Sequence, residues 1–404
     1  MTSTAVTALA ARRARIAVIL FFTINGLLPA AWIARLVDIQ QDAGLSDASL
    51  GLVLASGAAG GLALGLLASP LVARWGSARV AVAAFVGMAV VTMPLGWLSS
   101  AWLLALSLFV IFGLDTVMDA AMNTHGVRVQ KAYGRSILNS FHAWWSVGAV
   151  AGSALAALTA AVGLPLGPYL LVLSIALLAV ALFAGAWALP GPDPHTHLDT
   201  EGEGSATDAA SSAGPSPASS WRAVLRWAVL ALGLFIMLAV IVEDVPARWS
   251  SVYLADAGAT GGLVSMGLVA FTAAMALGRF VGDRFVERWG DVAVTRWGMG
   301  VSAVVLALAL VQGGIAAFLI ACLVAGFGVA TLFPSAIHAG AHLPGVRPAT
   351  GVAVVSWASR LGAVTAPIVV GLVADSAGIA WGVGLAVLAA VGLVPLARVL
   401  RQRS

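Results

Sequence analysis

The chain has 404 residues, of which 61% are hydrophobic and 9% charged, with a formal net charge of +4. So little charge cannot cover a soluble surface of this size, which excludes a water-soluble globular fold. The basic balance reflects membrane topology rather than nucleic-acid binding, because the loops are short and no basic run alternates with aromatic residues.

Apolar runs of about 20 residues are long enough to cross the hydrocarbon core as helices. Lipid cannot satisfy the open edge of a sheet, so such runs are not strands. Twelve are read in chain order, at about 16–36, 48–72, 78–98, 101–123, 137–159, 166–189, 224–246, 259–281, 294–314, 316–338, 350–374 and 378–398. Basic residues precede span 1 as they would in a signal peptide, but the run is a full span without a cleavage site, and a retained helix is expected. Span 1 carries Asn25, a polar candidate for a substrate cavity. The turn after span 2 reads LVARWG, with Arg74 and Gly76. Span 4 places Asp115, Asp119 and Asn123 at i, i+4 and i+8, on one helical face. Span 5 opens FHAWWSVG, with His142 as a candidate proton relay and Trp145 as a stacking platform or a packing residue.

Residues 190–221, rich in Pro, Gly, Ser and acids, read as a disordered cytoplasmic linker between a first bundle at 1–189 and a second at 222–404. Its His195 and His197 lack a third ligand at helical spacing, so no metal is expected, and no cofactor motif occurs. In span 7, Glu243 and Asp244 precede Pro246, with Arg248 and Trp249 just beyond. A proline that breaks the helix there would form an extracellular gate, whereas a span that ends early would leave ordinary loop charges. The turn after span 8 reads DRFVERWG, from Asp283 through Glu287 and Arg288 to Gly290. The single cysteine, Cys322 in span 10, is read as a buried inert thiol. Arg360 in span 11 needs an anionic partner, either Glu243 or Asp244 or a group on the substrate.

With both termini cytoplasmic, every Lys and Arg except Arg35, Arg248 and Arg360 falls on a cytoplasmic segment, Arg279 being read at a helix end. The phrase LVARWG returns as FVERWG at an offset of 214 residues. At the same offset Asp42-Ala43-Gly44 matches Asp256-Ala257-Gly258, and Gly148-Ala149-Val150 matches Gly362-Ala363-Val364. Span 1 thus aligns with span 7 and span 5 with span 11, giving two pseudo-symmetric six-helix halves in parallel orientation.

Twelve spans, two such halves and the two copies of the loop motif resemble the major facilitator superfamily over essentially the whole chain. The superfamily loop pattern is Gly-x-x-x-Asp-Arg-x-Gly. The first copy here has Ser69 and Ala73 in the glycine and aspartate places, and the second keeps the acid as Glu287. The resemblance implies that Arg74, Gly76, Asp283, Glu287, Arg288 and Gly290 form a cytoplasmic gate, the second copy carrying more of it. The alternative is that these arginines only enforce topology. The stretch MDAAMNTHGVRVQKAYGRSILNSFHAWWSVGAVAGS is similar to the branch holding the fucose-type sugar:proton symporters, and closer to a poorly characterised bacterial inner-membrane branch. The carboxylate those symporters carry inside span 1 has no counterpart before Asp38. The drug-antiporter motif of span 4 is also incomplete, with no arginine before Gly113.

The resulting expectation is an all-α membrane protein with twelve transmembrane helices, a secondary transporter of a small solute working by alternating access and proton-coupled symport. It is expected in the bacterial cytoplasmic membrane, as a monomer, with the lipid bilayer, protons and a small molecule as partners and no nucleic acid. Intramembrane carboxylates are costly and must bind and release a proton to couple transport, which singles out Asp115, Asp119, Glu243 and Asp244 alongside His142. Asn25, Asn123, Trp145, Trp249 and Arg360 are the substrate-cavity candidates. Efflux antiport of an amphipathic compound and a non-transporting receptor or scaffold are the alternatives. No Walker loop or nucleophile constellation is present, so neither a nucleotide-driven pump nor an enzyme is expected.

Overall fold

The computed structural model describes residues 8–135, 137–191, 227–343, 346 and 348–401. The linker read at 190–221 lies outside these from residue 192 onward, as do His195 and His197. Among the described residues eleven helical stretches are long and apolar enough to cross a membrane. One of them, Gly261–Gln312, holds 52 residues and divides at Gly290, which gives the twelve segments expected.

In the first half α1 is Ala8–Ile33, α2 Leu36–Asp42, α3 Asp47–Gly65, α4 Ala68–Trp75, α5 Ser77–Thr92, α6 Ala101–Tyr133, α7 Leu138–Ala161 and α8 Leu166–Trp187. In the second half α9 is Trp227–Asp256, α10 Met266–Gln312, α11 Ile315–Val329, α12 Leu332–Ala341, α13 Pro348–Ala377 and α14 Ile379–Leu396. The described residues form two compact units, one falling within Met1–Ala43 and Ser56–Glu203 and the other within Gly44–Ala55 and Gly204–Ser404.

The 214-residue repeat is visible in the helix pairings inside each unit. In the first, α1 packs on α7 and α8, and α5 on α6 and α8. In the second, α9 packs on α13 and α14, and α10 on α11 and α14. Missing side chains make the closest crossings possible, since lipid offers no hydrophobic drive and association rests on close packing. A Cβ on Gly148 of α7 would run into the Thr23 carbonyl of α1, and one on Gly152 into that of Leu27. At the repeat position in α13, a Cβ on Gly362 would meet Val240 at 3.2 Å and Met237 at 3.3 Å, and Met237 is the repeat counterpart of Thr23.

The duplicated phrase is a duplicated turn. Gly76 has φ 82° and ψ 147°, and Gly290 has φ 77° and ψ 155°. Only glycine takes this backbone freely, which explains why both copies end on it.

Several local expectations need correction. Pro246 does not break span 7, because α9 runs unbroken from Trp227 to Asp256 with the proline inside it. Glu243 and Asp244 are therefore not loop charges. Spans 2 and 10, read as single runs, each contain a break upstream of a proline. Pro70 follows the interruption between α3 and α4, and Pro334 the one at Ala330 and Thr331 between α11 and α12. A proline ring has no N–H for the carbonyl four residues back and crowds it. Arg279 is not at a helix end but well inside α10, three helical turns before Gly290.

Candidate functional site

In the first unit the sequence candidates Asn25, Asp115 and Trp145 come together from three helices. Asn25 lies in α1, is only 3% exposed, and donates from Nδ2 to Oδ1 of Asp115 in α6 at 2.7 Å. Its own Oδ1 accepts the indole Nε1–H of Trp145 in α7 at 2.9 Å. The indole therefore serves this amide rather than standing as a bare stacking platform. The amide's two ends are oriented by a donor on one side and an acceptor on the other. Among the described residues Asp115 has no Lys, Arg or His in ion-pair contact, so its hydrogen-bond partner is neutral. One turn along α6, Asn123 donates from Nδ2 to Oδ1 of Asp119 at 3.0 Å, on the exposed side of the helix. The His142 ring stands edge-on to Phe22 with centroids 5.0 Å apart.

The second unit solves the problem of buried charge differently. Asp244 and Arg248, one turn apart in α9, form an ion pair with side-chain exposures of 10% and 15%. The second oxygen of Asp244, Oδ2, is buried and has no hydrogen-bond partner among the described residues. Glu243 stands within electrostatic reach of Arg279 in α10 and of Arg248. Trp249 is fully buried, with its Nε1 making no hydrogen bond among the described residues. The pairing expected for Arg360 is not formed with Asp244, which is engaged by Arg248 instead. Arg360 is partly covered within α13 and makes no ion pair or hydrogen bond among the described residues.

The turns at Arg74 and Arg288 are alike in their aromatic neighbours. The Arg74 guanidinium lies over the Trp75 ring at 6.0 Å, and that of Arg288 over Trp289 at 5.9 Å. Asp283 and Glu287 are exposed and in no ion pair among the described residues.

Three further polar joints escaped the sequence reading. Arg35, 7% exposed, donates from Nε to Asp38 at 2.6 Å and from Nη1 to the Leu164 carbonyl at 2.7 Å, tying the end of α1 to the loop between α7 and α8. Burial raises the Asp38 carboxyl above its usual range, against the opposing pull of Arg35. The i, i+3 spacing of Arg35 and Asp38 was a signal for that pair, but nothing local pointed to Leu164. His125 is fully buried and bridges the first residue of α5 to the end of span 6. The Leu189 N–H donates to its Nε2 at 3.2 Å, so Nδ1 carries the hydrogen and faces Ser77 Oγ at 3.0 Å. Asp291, the counterpart of Ser77 at the 214-residue offset, accepts a hydrogen bond from Ser335.

Twelve apolar segments in two repeated six-helix units, with isolated carboxylates and arginines held inside them, define a polytopic membrane protein of the transporter kind. The chain belongs to the Major Facilitator Superfamily, which it matches over residues 15–268. It is 29% identical over 367 residues to an uncharacterized transporter of Sinorhizobium fredii, covering 88% of this chain and 90% of that one. It is 26% identical to an uncharacterized MFS-type transporter of Yersinia pestis, covering 88% of each. Among solved structures it superposes on the nucleoside transporter NupG with a TM-score of 0.76 at 16% identity, covering 97% of this chain and 98% of that one. The E. coli fucose:proton symporter FucP gives 0.58 at 18% identity over 96% and 98%. These structural likenesses show the fold. The protein is thus a multi-pass secondary transporter for a small molecule, not an enzyme.

Proposed function

We propose that the protein is a proton-coupled symporter of a small polar solute in the bacterial cytoplasmic membrane, with Asp115 as the group that takes up and releases the proton. The observation that carries this reading is that Asp115 has no cationic partner among the described residues: it is held by Asn25 and through it by Trp145, with the acid Asp119 one turn away. A carboxylate inside an apolar bundle without a cationic partner is balanced by a proton or by a cationic substrate group. A fixed amide keeps it oriented in both states. Asp119 and His142 are the next stops along the same helices, and Asn123 and Arg360 are the residues offered to solute, since Trp145 is engaged by Asn25 and Trp249 is fully buried. Glu243 and Asp244 stand against arginines already, which makes them the second choice for the proton. Both termini and the linker at 190–221 are assigned to the cytoplasm, the second gate turn with Glu287 and Arg288 dominates over the first with Arg74, and the working unit is a monomer. The placement next to the fucose-type branch rests on the motif in spans 4 and 5.

The test begins with thermal-shift screening of the purified protein against a metabolite library, since a ligand bound only to the folded state raises its stability. The solute found is then added outside proteoliposomes that carry a pH dye in their lumen. Symport acidifies the lumen, because the proton enters with the solute. Alkalinisation would assign the efflux antiport reading instead, and a solute that binds but moves neither itself nor protons would make the chain a receptor.

A further inference from the structure

A groove of about 890 Å³ runs along the second unit where α10, past Gly290, faces the end of α14. One end is basic and aromatic, with Arg296, Arg401 and the tryptophans Trp289 and Trp297, which are 58% and 76% exposed. Arg296 donates from Nε to the Val394 carbonyl at 3.2 Å, which fixes the guanidinium and leaves its terminal N–H groups for another acceptor. The rest of the groove is a trough of valines around Gly300. A Cβ on Gly300 would meet nothing within 4 Å, so this glycine holds the trough open rather than allowing a helix contact. Among the described residues no carboxylate lines the groove.

We propose that this groove is a binding site for an anionic phospholipid, its headgroup phosphate against Arg296 and Arg401 and an acyl chain along Gly300. The charge complementarity and the shape argue together. An apolar trough on a membrane-spanning unit is filled by a lipid chain, and two guanidiniums at its end select the headgroup, as basic pockets beside transmembrane helices do. Trp289 and Trp297 mark the level at which headgroups sit, because indole rings favour the boundary between hydrocarbon and water. The site does not depend on what the protein transports or on the direction.

The test is native mass spectrometry of the purified full chain titrated with phosphatidylglycerol or with phosphatidylcholine of the same acyl chains. The wild-type protein is expected to retain phosphatidylglycerol with a preference of roughly tenfold. Arg401→Ala, which lies beyond the last helix, should cut that preference severalfold. Gly300→Leu, whose Cβ enters open space and whose side chain then fills the trough, should abolish it without lowering the melting temperature in lipid-free detergent. Equal retention of the two lipids by the wild type overturns the proposal. So does a Gly300→Leu or Arg401→Ala protein that keeps the full preference. A dimer that Gly300→Leu dissociates overturns it as well, by making a second copy of the chain the occupant.

Discussion

The two units have the same helix pairings and hold the acids inside their spans differently. In the first, Asp115 is set against an amide and, through it, an indole. In the second, Asp244 is set against Arg248 and Glu243 lies near Arg279. The repeat counterparts show how far the chemistry has diverged. Asn25 corresponds to Ala239, Asp115 to Val329, and Arg248 to Ala34. Gly148 keeps its counterpart in Gly362 and Gly76 in Gly290, whereas Gly152, at the same crossing as Gly148, corresponds to Ala366. Duplication has preserved the backbone of the two turns and released what sets the charge.

The largest expected effect breaks the second unit's solution. Arg248→Ala strands a buried Asp244, and removing one partner of a buried pair costs about 3–5 kcal/mol. The double variant Asp244→Ala with Arg248→Ala should melt higher in detergent than Arg248→Ala alone, because no charge is then left unpaired. The next effect separates the units by packing. Gly148→Ala forces α7 off the Thr23 carbonyl, an overpacking change of about 1–3 kcal/mol. Gly362→Ala should lower the melting temperature less, its neighbours being farther off at 3.2 Å and 3.3 Å. The first unit's neutral network is broken by Asn25→Ala, which leaves the Trp145 N–H without its acceptor and Asp115 without its donor, at about 1–3 kcal/mol. A tryptophan emission shift should accompany it, absent in Gly148→Ala. The smallest effect is at the joint after the second turn, where Asp291→Ala should cost about 0.5–1.5 kcal/mol in thermal unfolding, below the cost of about 1–3 kcal/mol for Ser77→Ala, which takes the facing hydroxyl from the buried His125.

The parts of this molecule legible in its sequence are those that local rules determine. Apolar length sets the spans, and the repeat of a glycine in a six-residue phrase sets two turns of the same backbone geometry. The breaks at Pro70 and Pro334 were also written locally, as prolines inside runs read as continuous. The joints made by Arg35 with Leu164 and by His125 with Leu189 were not, since each joins residues far apart in the chain. The face of α6 that carries Asp115, Asp119 and Asn123 followed from helical spacing. Spacing says nothing about partners, however. Only the packing of α1 and α7 against α6 brings Asn25 and Trp145 to Asp115, and only the unbroken α9 puts Arg248 beside Asp244. Arg360 illustrates the limit, for its charge demanded a partner and the sequence offered two acids that packing had already assigned elsewhere.

The central claim is that Asp115 carries the coupled proton, and solute transport by Asp115→Asn in proteoliposomes tests it most directly. The substituted amide keeps an oxygen to accept from Asn25 but cannot titrate. The account predicts that Asp115→Asn loses solute accumulation driven by an imposed pH gradient while exchange of labelled solute across the membrane continues. Accumulation at the wild-type level would contradict it and move the proton to Asp119, Glu243 or Asp244.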